Sequence, residues 1–260
     1  MNEESSNLYS VRPGFAANSS DISREMIEID TPNGKISGLL AQPKSGSNRG
    51  SVIVIHEIFG LTEHIQDVAC RFALAGYNAL APNLFCRGGD PPSIAGGFGP
   101  LMEYARSIPD SQVISDVASC ADYLNNLETS NRKTGAVGFC WGGRVCLLAA
   151  AQIPHLCASV AYYGRIKGEA SENQPKAPLD LVASMTVPLM GHFGEIDGGI
   201  PVKDVEELKQ KLTEEGRSPE IYIYPEAGHA FNNDTRETFN ETTANLAMTR
   251  TLQWFEKYLV

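Results

Sequence analysis

The sequence has no apolar run long enough to cross a bilayer, and residues 1–6 are acidic and polar with no apolar stretch behind them. The first absence excludes a transmembrane helix and the second a secretory signal, so a cytoplasmic protein without a membrane partner is expected. Basic residues are outnumbered, with 21 Lys plus Arg against 31 Asp plus Glu and a net charge of −10. That balance speaks against nucleic acid as a partner. Six cysteines are present, but none is paired as Cys-x-x-Cys and their spacing is not that of a small secreted domain. They read as reduced core residues. No His-x-x-x-His pattern or Cys/His cluster occurs, so neither a metal nor another cofactor is expected. Internal repeats and low-complexity tracts are missing as well. What remains is a chain of 260 residues, which can bury about 70–75% of its unfolded surface without a staple.

Residues 1–24 carry Ser, Asn, Pro and Gly with few apolar positions and predict a loosely ordered arm. Residues 25–260 predict one domain. Met26-Ile27-Glu28-Ile29 alternates, Pro32-Asn33-Gly34 signals a tight turn, and residues 35–40 alternate again, as in an antiparallel hairpin. Residues 51–55 are then continuously apolar after a single serine, as in a strand buried on both faces. Strands at 78–82, 134–137, 157–164, 187–194 and 221–224 alternate with helical stretches at 61–76, 113–124, 144–151, 205–212 and 244–258. Residues 85–92 read as part of a long irregular loop. The pattern predicts an α/β fold: a mostly parallel central sheet with an antiparallel N-terminal hairpin and helices on both faces.

In such sheets the site lies at the carboxyl ends of the strands. Four polar residues fall just past apolar strands: Glu57, Cys140, Asp197 and His229. Gly138-Phe139-Cys140-Trp141-Gly142-Gly143 has the strand, small-residue turn and helix layout of a nucleophile elbow. A thiolate there is favoured by the unpaired amides at the start of the helix. By itself the motif reads sooner as a core cysteine beside a glycine turn. Asp197 follows a strand and precedes a helix, where an aspartate also serves as a cap, and Glu195 is the rival acid. His229 sits in a small-residue loop after the last strand, giving the chain order nucleophile, acid, base. His64 and His155 read as ordinary helix-surface or helix-end residues, whereas His56 and His192 lie at strand ends and remain candidates for the pocket. Backbone N–H groups of Trp141 and Ile58 are placed to form an oxyanion hole. Tyr163, at a strand end, reads either as a pocket residue or as a buried structural tyrosine.

From about residue 26 to the C-terminus, the chain resembles the dienelactone hydrolases (carboxymethylenebutenolidases). The likeness rests on His56-Glu57-Ile58-Phe59-Gly60, Leu84-Phe85-Cys86-Arg87, the elbow, Gly194-Glu195-Ile196-Asp197, and Gly228-His229-Ala230-Phe231. It implies an α/β-hydrolase fold and a Cys140–His229–Asp197 triad that cleaves an ester or lactone. It also implies that Glu57 holds the resting thiol and helps deprotonate it. Two arginines would hold a substrate carboxylate; Arg87 matches the first, but Asn233 stands where the second is expected. The partner is then a small ester or lactone, bound by a monomer or small homo-oligomer. A non-catalytic binding protein, or a redox sensor with Cys86 resolving an oxidised Cys140, is the alternative from another class.

Overall fold

Runs of β-branched and small residues with no charge among them can be covered on both sides, and in this chain they become the inner strands of one sheet. A computed structural model describes residues 14, 16–46, 49–89, 91 and 97–260. Along the chain run β1 (Ile22–Ile29), β2 (Ile36–Pro43), β3 (Ser51–Ile55), α1 (Glu63–Leu74), β4 (Asn78–Pro82), α2 (Phe98–Ser107) and α3 (Asp110–Asn125). Then come β5 (Thr134–Phe139), α4 (Trp141–Gln152), β6 (Ala158–Tyr162), β7 (Leu189–Gly194), α5 (Val202–Glu214), β8 (Glu220–Tyr224) and α6 (Glu241–Leu259). The eight strands form one sheet in the order β1-β2-β4-β3-β5-β6-β7-β8.

The predicted hairpin is present: β1 pairs antiparallel with β2 in a register that sets Ile22 opposite Pro43 and Ile29 opposite Ile36. Gly34 makes its turn possible at φ 99°. From β4 to β8 every neighbouring pair is parallel. All residues of β3, β4, β5, β6 and β7 are buried, so the core lies on both faces of the sheet. This is the α/β-hydrolase layout. No helix among the described residues is long and apolar enough to cross a membrane.

Three local expectations change. The strand of the hairpin begins at Ile22, inside the stretch read as an arm, and a 3-10 turn at Ala16–Asn18 docks through the Ala17 N–H on Asp67 Oδ1, 3.0 Å. Residues 1–13 and 15 of that arm lie outside the described residues. Helix α2 replaces the later part of the long loop; its Gly-Phe-Gly-Pro start hid it, although Pro100 falls in the first turn, where no intrahelical donor is lost. His64 is not a surface residue but is buried at 5% exposure in α1. The last helix starts at Glu241, capped by the Asn240 side chain, which accepts the Thr243 N–H at 3.0 Å.

Candidate active site

Strand β5 ends at Phe139 and α4 begins at Trp141, so the whole change of direction falls on Cys140. Its backbone lies at φ 55°, ψ −110°, a conformation that costs a non-glycine residue about 1–3 kcal/mol and needs surrounding structure to hold it. Glycine supplies that structure. A Cβ on Gly138 would stand 2.1 Å from the Gly142 carbonyl oxygen, and one on Gly142 would stand 2.4 Å from the Ile55 carbonyl oxygen. The first turn of α4 therefore closes on both β5 and the end of β3, where the loop carrying Ile58 begins. Among the described residues, the N–H groups of Ile58 and Trp141 take no part in a hydrogen bond. Both residues line the cavity that contains Cys140.

Asp197 and His229 arrive from the neighbouring strand ends. The Asp197 side chain is 1% exposed, and its Oδ1 accepts the Gly199 N–H at 2.8 Å. Its Oδ2 lies 2.7 Å from His229 Nδ1. The carboxylate can only accept, so Nδ1 carries the proton in this contact. The imidazole also faces the Cys140 side chain, which helps to raise it, and packs against the ring of Tyr163, with centroids 5.2 Å apart. Burial works against a charge on His229, but Asp197 and Cys140 outweigh it and push the ring up to about 10. Glu195, the rival acid, faces solvent and receives the Glu226 N–H at 3.3 Å. The structure thus brings Cys140, His229, Asp197, Ile58, Trp141 and Tyr163 to one cavity of about 600 Å³.

Glu57 sits behind this group. It is 2% exposed, and its Oε2 accepts a hydrogen bond of 2.7 Å from Asn233 Nδ2. Asn233 is itself fixed, since its Oδ1 accepts from Thr235 N (3.0 Å) and Thr235 Oγ1 (2.7 Å). The next residue, Asp234, bonds His64 Nδ1 at 2.9 Å and the Arg71 guanidinium, which also binds Asp67. A closed, buried set of charges on α1 therefore fixes the loop that presents Asn233.

Two expected substrate contacts have other partners in this structure. Arg87 does not line the cavity; its guanidinium pairs with Asp116 of α3, a carboxylate with no solvent exposure that needs a cation. Asn233 does not line the cavity either, because its amide is committed to Glu57. The sequence reading missed that use of Asn233 and the buried set behind it. Its one legible trace was Asp67 four residues before Arg71 on a helix, a spacing that supports an ion pair.

The other strand-end histidines prove structural. His56 is fully buried and stacks on Trp141; its Nε2 accepts the Leu84 N–H at 3.2 Å, so its Nδ1 donates to the Glu57 carbonyl at 2.7 Å. His192 is fully buried between Tyr224 Oη (2.8 Å) and Thr251 Oγ1 (3.1 Å). Burial pushes the two rings down to about 4 and about 3. His155 lies at the surface, 3.9 Å from Asp122. The thiols divide similarly: burial pushes Cys70 up to about 11 and Cys146 up to about 12, whereas Cys140 is partly exposed on the cavity wall. Among the described residues no group of three His, Cys, Asp or Glu side chains is placed to hold a metal ion.

Comparison with known proteins agrees with this architecture. The Dienelactone hydrolase family matches residues 36–259. A Salmonella typhimurium protein provisionally named a carboxymethylenebutenolidase is 38% identical, over 94% of this chain and 96% of its own length. A Bradyrhizobium protein, provisionally named a 2-oxo-3-(5-oxofuran-2-ylidene)propanoate lactonase, is 30% identical over 92% of this chain and 96% of its own. A Klebsiella pneumoniae crystal structure, provisionally named a dienelactone hydrolase, superposes with a TM-score of 0.84 at 38% identity, covering 91% of this chain and 99% of that one. The chain is a hydrolase that belongs to the dienelactone hydrolase family.

Proposed function

We propose that the protein hydrolyses a carboxylic ester or lactone through a cysteine acyl-enzyme, with Cys140 as nucleophile, His229 as acid and base, and Asp197 as its orienting partner. The observation that carries this reading is the strained elbow cysteine sharing an apolar cavity wall with a histidine whose Nδ1 is held by a buried aspartate. An imidazolium at His229 pairs with a thiolate at Cys140, the form that attacks. The sulfur attacks the carbonyl carbon, and the oxygen that takes up the electron pair is met by the Ile58 and Trp141 N–H groups. Collapse breaks the C–O bond, and His229 gives its proton to the departing alkoxide, which in a lactone stays tethered to the acyl group. His229 then takes a proton from water, the hydroxide attacks the thioester, and the acid leaves as the thiolate returns.

Glu57, buried behind the cavity wall and held by Asn233, has the part of holding the resting thiol and helping to deprotonate it when substrate arrives. The relatives' lactonase and butenolidase names favour a lactone over an open ester. A redox role for Cys140 with Cys86 has less support, because the Cys86 thiol faces the Lys35 carbonyl at 4.0 Å and does not line the cavity. The test is steady turnover of 4-nitrophenyl esters and simple lactones under reducing conditions. Loss in Cys140→Ala and His229→Ala is expected; full turnover in either variant removes the triad.

A further inference from the structure

The cavity that holds Cys140 is apolar inside and cationic at its mouth. Ile58, Phe98, Met102, Trp141, Tyr163 and Ile200 make the apolar wall. The mouth carries Arg106 from the last turn of α2, together with Arg165 and Lys176 from the loop after β6, all three exposed. The cavity's other cations are already neutralised. Arg144 grips Asp110 through two hydrogen bonds of 2.6 and 2.8 Å, and Lys167 binds Asp204 at 2.8 Å and Glu207 at 2.6 Å. Arg106, Arg165 and Lys176 have no carboxylate within 4.0 Å among the described residues. The acids on the same wall are Glu169 and Asp197, the second already bound to His229, which leaves a local excess of positive charge on a chain whose net charge is −10.

Size points the same way. A second cavity of about 710 Å³ adjoins the first, and Arg106 and Arg165 line both, along with the neutralised Lys167 and with Glu169, so two arginines and one acid stand where the cavities meet. The space beside Cys140 therefore runs on past the reacting centre to a point where charge is available. Meanwhile the arginine expected to hold a carboxylate close to that centre, and the asparagine that stands in place of the second arginine, are committed to Asp116 and Glu57.

From this we infer an anion subsite: Arg106, Arg165 and Lys176 receive a carboxylate at the far end of an extended apolar ester or lactone whose carbonyl lies at Cys140. The inference rests on the hydrolase reading above for its reaction, but the subsite is tested separately from it. The three cations are exposed, so each contact is modest and weakens with salt.

The test compares mono-4-nitrophenyl suberate, which carries a free carboxylate, with its neutral methyl ester. The enzymes are the natural protein, the triple variant Arg106→Gln/Arg165→Gln/Lys176→Gln, and Arg87→Gln. The anionic-to-neutral ratio of kcat/KM is expected to fall about tenfold in the triple variant, mainly through KM, and in the natural protein at 0.5 M NaCl. Arg87→Gln should leave that ratio unchanged. An unchanged ratio in the triple variant, or a loss confined to Arg87→Gln, overturns the subsite. Calorimetric binding of monomethyl against dimethyl suberate to Cys140→Ala reads the subsite without turnover. A preference for the anion that disappears when the three cations are replaced supports it even if neither ester is hydrolysed, an outcome that would defeat only the hydrolase reading. Equal affinities overturn it.

Discussion

Three histidines stand near the carboxyl ends of strands in one sheet, and their surroundings make two kinds of residue of them. His56 and His192 are wholly buried, each with both ring nitrogens in contacts internal to the fold, and burial holds them neutral at about 4 and about 3. The His229 side chain is 41% exposed, and its partners are a buried carboxylate and a thiol, which raise it to about 10. Position in the fold is nearly the same; what differs is whether a nitrogen is left facing a cavity and a reactive partner. A histidine enclosed by hydroxyls and carbonyls is structure, and one between an acid and a thiol can move a proton.

The largest expected effect breaks that comparison most directly. His229→Ala should lower kcat for a 4-nitrophenyl ester by about 10⁴-fold, as should Cys140→Ala, because the members of such a set act as a unit. His192→Gln should keep kcat within a few-fold and lower stability instead. Equal losses of turnover in the two histidine variants would show that exposure and partners do not separate the classes. Asp197→Asn tests the same point from behind, since an amide there can set the wrong tautomer of His229; a fall in kcat of about 10²–10⁴-fold is expected, with little change in KM.

The next effect is on stability. Asp234 joins His64 and Arg71 in a pocket where all three side chains are 5% exposed or less. Burial pushes the Asp234 carboxyl up, but His64 and Arg71 together hold it below its ordinary range. Asp234→Asn leaves the Arg71 charge partly uncompensated in the interior and should cost about 3–5 kcal/mol in urea denaturation. A loss under 1 kcal/mol would mean that Asp67 alone satisfies Arg71.

A smaller change is expected at Asn233. If its amide serves to hold Glu57, Asn233→Ala should reduce kcat about tenfold and leave KM for anionic and neutral esters alike, a cost in line with one lost hydrogen bond to a charged group. A rise in KM confined to anionic esters would return Asn233 to the substrate site. Restoration of kcat by Asn233→Gln would support positioning, because the longer amide keeps the donor.

The sheet and the elbow were legible because each depends on residues adjacent in sequence. Apolar runs mark β3 to β7, and Gly138 and Gly142 are required by contacts within a few residues of Cys140 or at the end of one neighbouring strand. The chain order of Cys140, Asp197 and His229 was readable for the same reason: parallel strand ends share a rim. What could not be read were side chains whose use is decided by a distant partner. Arg87 looked available for substrate until Asp116, 29 residues away, was seen buried against it. Asn233 looked like a lost arginine until Glu57, 176 residues away, proved to be its acceptor. Helix α2 was hidden by its own start, where glycine and proline signal a loop although the first turn tolerates both.

The two kinds of histidine should also give opposite signs in the pH dependence of stability. A ring held neutral in the fold takes up a proton only on unfolding, so His56 and His192 favour the folded state above about 6.5 and withdraw that support as the pH falls toward their folded values of about 4 and about 3. His229, raised to about 10, does the reverse: its contribution is complete below about 6.5 and disappears as the pH rises through about 10. Replacing His192 by Gln removes one of the acid-side titrations. Relative to the natural protein, the variant should therefore gain about 1.5 kcal/mol between pH 6.5 and pH 5, whatever its overall loss of stability, because the unfolded chain then has one fewer imidazole to protonate. His229→Gln should show no such gain on the acid side and should instead flatten the loss between pH 7 and pH 10. Urea titrations at these four values read both differences, and the same sign for the two variants would mean that the rings are not held in opposite charge states.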